Sequence, residues 1–382
     1  MNKAYRFRIY PDEQQKVQLA KTFGCVRFVY NQCLEYQEKS FQAGKNYIRK
    51  FDMNNYCTQV LKKEYPFLKE IDKFAFNNTI FALDAAYMRF FEGNSNHPKF
   101  KSRKKSRCSY TTCFTLNNIE IGSDYIKLPK LKKVRAVIHC SIPDGWKIKF
   151  ATVSMEKDET YYCSINFEFN STDIKHSFNP EYIVGLDYKM NGLYIDSDGN
   201  ECNAPRYFRS SKAKLAKAQR KLERKVGAKK GEVQSNNYKK QQKRVNKIYR
   251  KIANQRNDFL HKESAKITNL YDVVCIEDLN MRDMSNKSFG NGLSTMDNGY
   301  GMFVKMLTYK LEEKNKLLIK VDRWFPSSQT CSRCGSKTKI PLYSRKYVCP
   351  KCGLVIDRDY NAALNILYEG MRIFESITVD IA

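Results

Sequence analysis

Tyr182-Ile-Val-Gly-Leu-Asp187 runs five residues without a charge and then ends on a carboxylate. A short apolar run of this kind, rich in β-branched residues, reads as a strand covered on both faces. Gly192-Leu-Tyr-Ile-Asp-Ser-Asp-Gly199 follows as an alternating strand closed by a turn signal, so the two form a hairpin. Val273-Val-Cys-Ile-Glu277 repeats the first pattern, an apolar strand ending in an acid, and Leu317-Leu-Ile-Lys-Val321 supplies a further strand after a helix near 301–315. The last helix starts at about Asp357. Counting three, four and seven residues on from Asp359 gives Ala362, Ala363 and Ile366, a small apolar face able to press on a sheet, whereas the same count from Asp357 gives the mixed set Tyr360, Asn361 and Leu364. Acids at the ends of core strands converge on one edge of a sheet, so Asp187, Glu277 and Asp359 are expected to meet.

Upstream, Lys3-Ala-Tyr-Arg-Phe-Arg-Ile-Tyr10 alternates basic with apolar residues and reads as a strand with one wet, positive face, ended by Pro11. From Asp12 to about Arg89 apolar positions recur at three and four (Val17, Ala20, Phe23, later Phe81, Leu83, Ala86, Met88, Phe91), with Pro66 as a breaker. Residues 98–107 carry six cations in ten positions, and Tyr110–Phe169 reads as short strands broken at Gly122, Pro129, Pro143 and Gly145. A lone first strand followed by helices and then strands predicts a small β barrel with an inserted helical lobe. Residues 206–256 hold 19 Lys and Arg against two acids, Glu223 and Glu232, on a helical pattern broken around Gly227 to Asn237.

The whole chain has 382 residues, 42% of them hydrophobic, and 68 Lys and Arg against 40 Asp and Glu, a formal charge of +28. A core of ordinary size is affordable at this length, but the charge calls for a polyanionic partner, and nucleic acid is the leading one. An acidic membrane is the weaker reading, since neither an apolar run of about 18 residues nor a signal peptide is present. Thirteen cysteines is an odd number, and nine fall at no regular spacing, which predicts reduced thiols in an intracellular protein.

The other four are Cys331-Ser-Arg-Cys334 and Cys349-Pro-Lys-Cys352, two knuckles separated by 14 residues and each followed by a glycine. Four thiolates so spaced suit one structural Zn²⁺ in a coordinatively closed site, and the competing reading is a pair of redox-active or incidental thiols. For the acids, hydrolysis of a phosphodiester needs an activated water and a stabilised leaving oxygen. Two divalent ions, Mg²⁺ or Mn²⁺, on hard oxygen ligands supply both. Taken singly, Asp187 reads equally as a turn residue, Glu277 as a partner for a lysine and Asp359 as a helix cap. Together, in strand, strand, helix order within a basic protein, they favour catalysis. Asp196, Asp198, Asp278 and Asp357 read as turn, strand-end or cap residues.

Four segments resemble the TnpB family, transposon-encoded RNA-guided nucleases similar to the compact type V CRISPR effectors. They are Val184-Gly-Leu-Asp-Tyr with Leu193-Tyr-Ile-Asp-Ser-Asp-Gly199, Ile276-Glu-Asp-Leu-Asn280, Phe325-Pro-Ser-Ser-Gln-Thr-Cys-Ser-Arg-Cys-Gly335, and Cys349-Pro-Lys-Cys-Gly followed by Asp357-Arg-Asp-Tyr-Asn-Ala-Ala-Leu-Asn365. Tyr5-Arg-Phe-Arg-Ile-Tyr-Pro11 and Gly24-Cys-Val-Arg-Phe-Val-Tyr-Asn31 are similar to the family's amino-terminal segment. The resemblance implies a guide RNA, a target DNA beside a short adjacent motif, and an acidic triad of Asp187, Glu277 and Asp359 in an RNase H-like (RuvC-type) domain. Lys189 departs from the small residue often found two places after the first acid.

The expected architecture is therefore a multi-domain α+β chain: a β barrel from 1–11 and 107–180, a helical recognition lobe at 12–106, a nuclease domain from 181–326 and 355–382, and a zinc ribbon at 327–354. Nucleic-acid contacts are expected at Tyr5, Arg6, Phe7, Lys99, Lys101, Arg103, Lys104, Lys221, Arg224 and Lys225, in a protein favoured as a monomer and free of membrane. The alternatives are a non-cleaving guided binder, expected to lack some of the acids, and a sequence-specific DNA-binding zinc protein, which leaves the strand-end acids unexplained.

Overall fold

The alternation at the amino terminus becomes strand β1 (Asn2–Tyr10) in a computed structural model that describes residues 1–170, 179–227, 234–285, 292–341 and 343–379. Phe7 and Ile9 point into the core while Arg6 and Arg8 stay exposed, as the period of two requires. Asp12 then opens helix α1 (Glu13–Gln42) with a capping box: its carboxylate accepts from the Gln15 backbone at 2.8 Å and the Gln15 side chain accepts from the Asp12 backbone at 3.0 Å. Helix α2 (Lys50–Tyr56) passes through a π-helical turn into α3 (Lys62–Glu64). Pro66 breaks the run into a short 3₁₀ turn before α4 (Lys73–Phe91).

The helical phase differs from the expected one. Val17 and Ala20 are exposed, as are Phe81, Met88 and Phe91, and the buried stripe runs instead through Leu19, Phe23, Val26, Tyr30 and Leu34 on α1 and Phe76, Ile80, Leu83 and Tyr87 on α4. Apolar residues occur on several sides of both helices, so the pattern alone leaves more than one stripe available; packing of α1 against α4 and the sheet selects one.

Six further strands follow: β2 (Cys108–Cys113), β3 (Glu120–Ile121), β4 (Tyr125–Leu128), β5 (Lys132–Val137), β6 (Lys147–Met155) and β7 (Tyr161–Glu168). They join β1 in one antiparallel sheet of order β2-β6-β7-β1-β5-β4-β3. The first strand thus sits mid-sheet, and α1 to α4 are an insertion between it and the rest. These elements make one compact unit, Met1–Asn170, and Ser171–Ala382 makes a second. The expected boundary at 180/181 falls later than this division, and residues 171–178 between them lie outside the described residues.

The second unit is built on a five-stranded mixed sheet. Strands β8 (Ile183–Tyr188), β9 (Tyr194–Asp196) and β10 (Glu201–Cys202) run antiparallel in succession. Helices α5 (Tyr207–Glu223) and α6 (Asn236–Leu270) follow, then β11 (Val273–Glu277). The break expected between the two cationic helices lies where it was placed, although residues 228–233 are outside the described residues. After α7 (Met281–Met284), α8 (Gly292–Asn298) and α9 (Tyr300–Glu313) comes β12 (Leu317–Val321), then the hairpin β13 (Lys346–Val348) and β14 (Val355–Asp357), and finally α10 (Arg358–Val379). The order is β10-β9-β8-β11-β12, with β8, β11 and β12 parallel. One face, through Val184, Leu186, Val274 and Ile276, packs with Leu260 and Ile267 of α6 and Phe303 and Leu307 of α9. The other, through Val273, Cys275 and Ile319, packs with Ile366 of α10. No described helix is long and apolar enough to cross a membrane.

Candidate metal centres

Parallel pairing sets Leu186 beside Ile276, so the next residue on each strand, Asp187 and Glu277, leaves the sheet side by side at its carboxyl edge. With a period of two, both acids project to the face that carries α10. That helix lies unusually close. A β-carbon added at Gly185 of β8 would come within 3.0 Å of the Ala363 carbonyl and the Leu367 amide, and one added at Gly370 would meet the Cys275 side chain of β11 equally closely. The β8 and α10 backbones therefore touch at Gly185, Gly370 makes room for the Cys275 side chain, and Ala362, Ala363 and Ile366 are fully buried in the contact. This brings Asp359, in the first turn of α10, to the same edge.

The charges of Glu277 and Asp359 bear on Asp187. Burial, then the charges of Glu277 and Asp359, raise the Asp187 carboxyl well above the usual range, with Arg358 in opposition. Burial pushes Glu277 up to about 7. Asp359 is nearly buried and receives the guanidinium of Arg358 at 3.3 Å and that of Arg345 at 3.5 Å. Burial and the charges of Asp187 and Glu277 also raise the phenol of Tyr300, a fully buried residue that sequence reasoning did not single out. Carboxylates held at a cost in this way are stabilised by a divalent cation, and an all-oxygen donor set suits Mg²⁺ or Mn²⁺.

The neighbouring acids serve structure. Asp357 accepts from the backbones of Asp359 at 2.9 Å and Tyr360 at 3.0 Å, a helix cap. Asp196 accepts from the Asp198 and Asn200 backbones in the β9–β10 turn, and Asp278 pairs with Lys320 and Arg323. Lys189 is turned to Glu201, with which it forms an ion pair, so its charge is occupied by a neighbour.

The four cysteines offer sulfur atoms within 4.8 Å of one another, and among the described residues no other set of ligand-type side chains is gathered so tightly. Two of the sulfur pairs, Cys331 with Cys352 and Cys334 with Cys349, stand at 3.6 Å. Tetrahedral zinc with Zn–S of about 2.3 Å separates its sulfurs by roughly 3.8 Å, so the set fits that ion with little movement. The Ser336 hydroxyl, aided by backbone amides, draws the Cys349 thiol down to about 6, toward the thiolate that a metal needs. Each knuckle turns on a glycine with positive φ, Gly335 at 71° and Gly353 at 70°.

The expected nucleic-acid contacts fare unevenly. Phe7 is fully buried, packed against His139, and has no face to offer a ligand: the same alternation that exposes Arg6 turns Phe7 inward. Tyr5 is half-buried and stacked on Trp146 at 6.1 Å. Arg6 is exposed but pairs with Glu156 and lies over the Tyr162 ring at 3.9 Å. Lys101 is drawn onto the Tyr30 ring at 3.7 Å, and burial lowers its ammonium. Lys99, Arg103, Lys104, Lys221, Arg224 and Lys225 are exposed.

Two residues escaped notice in the sequence. Asn361 and Asn365 are buried on α10 and bind the backbone of the first knuckle. Two asparagines four apart within the apolar stretch that opens α10 are out of place by propensity, and that was the available signal.

Known proteins resemble this chain in sequence and in fold. Residues 300–366 match the family described as "Cas12f1-like, TNB domain", residues 152–288 "Probable transposase", and residues 1–46 "Helix-turn-helix domain", although those last residues form β1 and a single long helix here. A protein of Streptomyces pristinaespiralis is 33% identical over 97% of this chain and 90% of its own, and InsQ of Escherichia coli K12 is 29% identical over 96% and 92%. Both carry the name "Putative RNA-guided DNA endonuclease". The TnpB-like protein L79 of Acanthamoeba polyphaga mimivirus is 30% identical over 35% of this chain and 26% of its own. Among solved structures, a Cas12f1–sgRNA–target DNA complex aligns over 96% of this chain and 98% of that one, with a TM-score of 0.56 at 13% identity, a likeness of fold.

Proposed function

We propose a mechanism from one premise: this chain belongs to the TnpB family and is an RNA-guided DNA endonuclease. Asp187, Glu277 and Asp359 would be its catalytic acids, holding two Mg²⁺ or Mn²⁺ ions. The observation that carries this is electrostatic. Three acids from two parallel strands and a helix docked on them meet at one sheet edge, and after burial the charges of Glu277 and Asp359 raise the cost of ionising Asp187. When bound, the ions supply an activated water and stabilise the departing 3′ oxygen. The acids bind and fix those ions, β8 and β11 set the spacing of the first two, and α10 brings the third. Proton release from Asp187 and Glu277 accompanies metal binding.

In this reading the five-stranded sheet with α10 is the RNase H-like core, residues 327–354 form a ribbon for one structural Zn²⁺, and the seven-stranded sheet is the wall of the amino-terminal barrel with α1 to α4 as its recognition lobe. Guide RNA pairs with target DNA and carries the sequence specificity, and the protein adds backbone contacts from exposed cations. Lys221, Arg224 and Lys225 at the end of α5, with Lys99, Arg103 and Lys104, are the contacts we retain. The nine cysteines outside the ribbon, all free thiols, fit a reducing, intracellular setting. The decisive experiment is guided cleavage of a DNA duplex by Asp187→Ala, Glu277→Gln and Asp359→Ala. Loss of cutting with intact guided binding supports the assignment, and a variant that cuts at the wild-type rate removes that residue from the site.

A further inference from the structure

The two metal centres share a helix. Asn361 and Asn365, one turn apart on α10, lie two and six residues beyond Asp359. The Asn361 amide donates to the Thr330 carbonyl at 2.7 Å, and its oxygen accepts from the backbone of Ser332, inside the first knuckle, at 3.0 Å. Asn365 donates to the carbonyls of Ser327 and Thr330, both at 2.7 Å. The second knuckle reaches the same helix along the chain. Strand β14 leads from Cys352 to Asp357, the Arg358 amide donates to the Arg345 carbonyl at 2.8 Å, and the Arg345 guanidinium reaches back to Asp359.

The links form a closed ring. It runs from the start of α10 through Asn361 to the first knuckle, across the four sulfurs to the second knuckle, and along β14 back to Asp359. Zinc is the segment that closes the gap between the knuckles. Side-chain amides are apt for the remaining joint, because each offers two donors and an acceptor in a fixed plane, and a buried amide left without partners is destabilising. The hydrogen bonds of Asn361 and Asn365 tie Ser327, Thr330 and Ser332 to α10, so the asparagines carry that joint.

We propose that Asn361 and Asn365 are positioning residues that lock the ribbon to the first two turns of α10, so that Zn²⁺ at the cysteines and Mg²⁺ at the acids bind cooperatively. The inference rests on the assignment of Asp187, Glu277 and Asp359 as the Mg²⁺ site. Coupling of this kind is reciprocal: whatever zinc does for Mg²⁺ affinity, Mg²⁺ must do for zinc.

The test uses the purified, zinc-loaded RNA complex without DNA. Zinc release to a chromogenic chelator is timed with and without saturating Mg²⁺, and Mn²⁺ binding is titrated by electron paramagnetic resonance. Mg²⁺ should slow zinc release at least about fivefold, the low end of typical coupling. Asn361→Ala and Asn365→Ala should release zinc faster in the absence of Mg²⁺ and lose most of the protection, while Asp359→Asn should lose the protection measured against its own rate without Mg²⁺. If Asn361→Ala or Asn365→Ala does not fold, the wild type and Asp359→Asn still decide the matter. Zinc release that is indifferent to Mg²⁺ in a wild type that binds Mn²⁺ through its acids overturns the coupling alone. Mn²⁺ binding that survives intact in Asp187→Asn, Glu277→Gln and Asp359→Asn overturns the acid-site assignment, and this inference with it.

Discussion

Asp359 of the acid set and Cys352 of the ribbon lie seven residues apart along β14 and α10, yet the two sets solve opposite problems. Four thiols sit at nearly the spacing that zinc imposes, held by knuckle turns that form from local sequence. The carboxylates come from β8, β11 and α10, elements far apart in the chain, and they are held together against their own repulsion. A soft, closed set makes a staple, and a hard, strained set makes a site that an ion and its substrate can enter. The difference teaches where the folding energy goes: zinc should add stability to the fold, whereas the acids draw on it.

The largest test of that contrast separates two acids on one turn. Asp359→Ala should lower guided cleavage by roughly 10³-fold or more, about 4 kcal/mol of barrier, with guided binding unchanged. Asp357→Ala removes a cap and should cost about 0.5–2 kcal/mol of stability while leaving measurable cleavage. Equal loss of cutting in two folded variants would place both acids in the site.

Next in size is the staple. Cys334→Ser should leave less than one zinc per chain by elemental analysis and lower the unfolding midpoint by at least about 5 °C, since a closed site contributes to folding directly. Unchanged zinc content would end the ribbon assignment.

A smaller effect reads the strain at the acids. Glu277 ionises near 7 in the folded protein against an ordinary 4.5, so the metal-free fold holds a proton there that the unfolded chain has already released. Its contribution to stability is therefore present below about 4.5 and lost as pH rises through 7. Mg²⁺ competes with that proton, so the Mg²⁺-induced rise in Tm should be larger at pH 8 than at pH 5.5. A shift of equal size at both values would show that the raised acids do not hold the ion.

The smallest effect lies outside both centres. Reversing Lys221, Arg224 and Lys225 to Glu should reduce the log–log salt slope of guide-RNA binding by about two to three, near one per cation. An unaltered slope would mean that this end of α5 is merely solvated.

Much of this was legible in the sequence, and unevenly so. The knuckles, the strand-end acids and the helix phase at Asp359 depend on spacing over fewer than eight residues, and chain geometry fixes such spacing locally. Ala362, Ala363 and Ile366 are buried as the count of three, four and seven requires. The helical lobe was misread in phase because α1 and α4 carry apolar residues on several sides. Phe7 was misplaced because an aromatic in a basic strand was read for its chemistry, when its parity in the pleat had already turned it inward.

By itself the sequence determined most of the elements, the strand-end acids, the paired cysteines and the positive charge, since each follows from local periodicity, residue spacing or simple composition. Only the tertiary structure decided that Gly185 lets α10 rest on the backbone of β8 and Gly370 admits the Cys275 side chain of β11, that Lys189 is occupied by Glu201, and that Asn361 and Asn365 join the ribbon to the helix bearing Asp359. Each of these depends on which distant segment comes to lie against a given face, and that choice is made by packing the whole core, which no window of sequence contains.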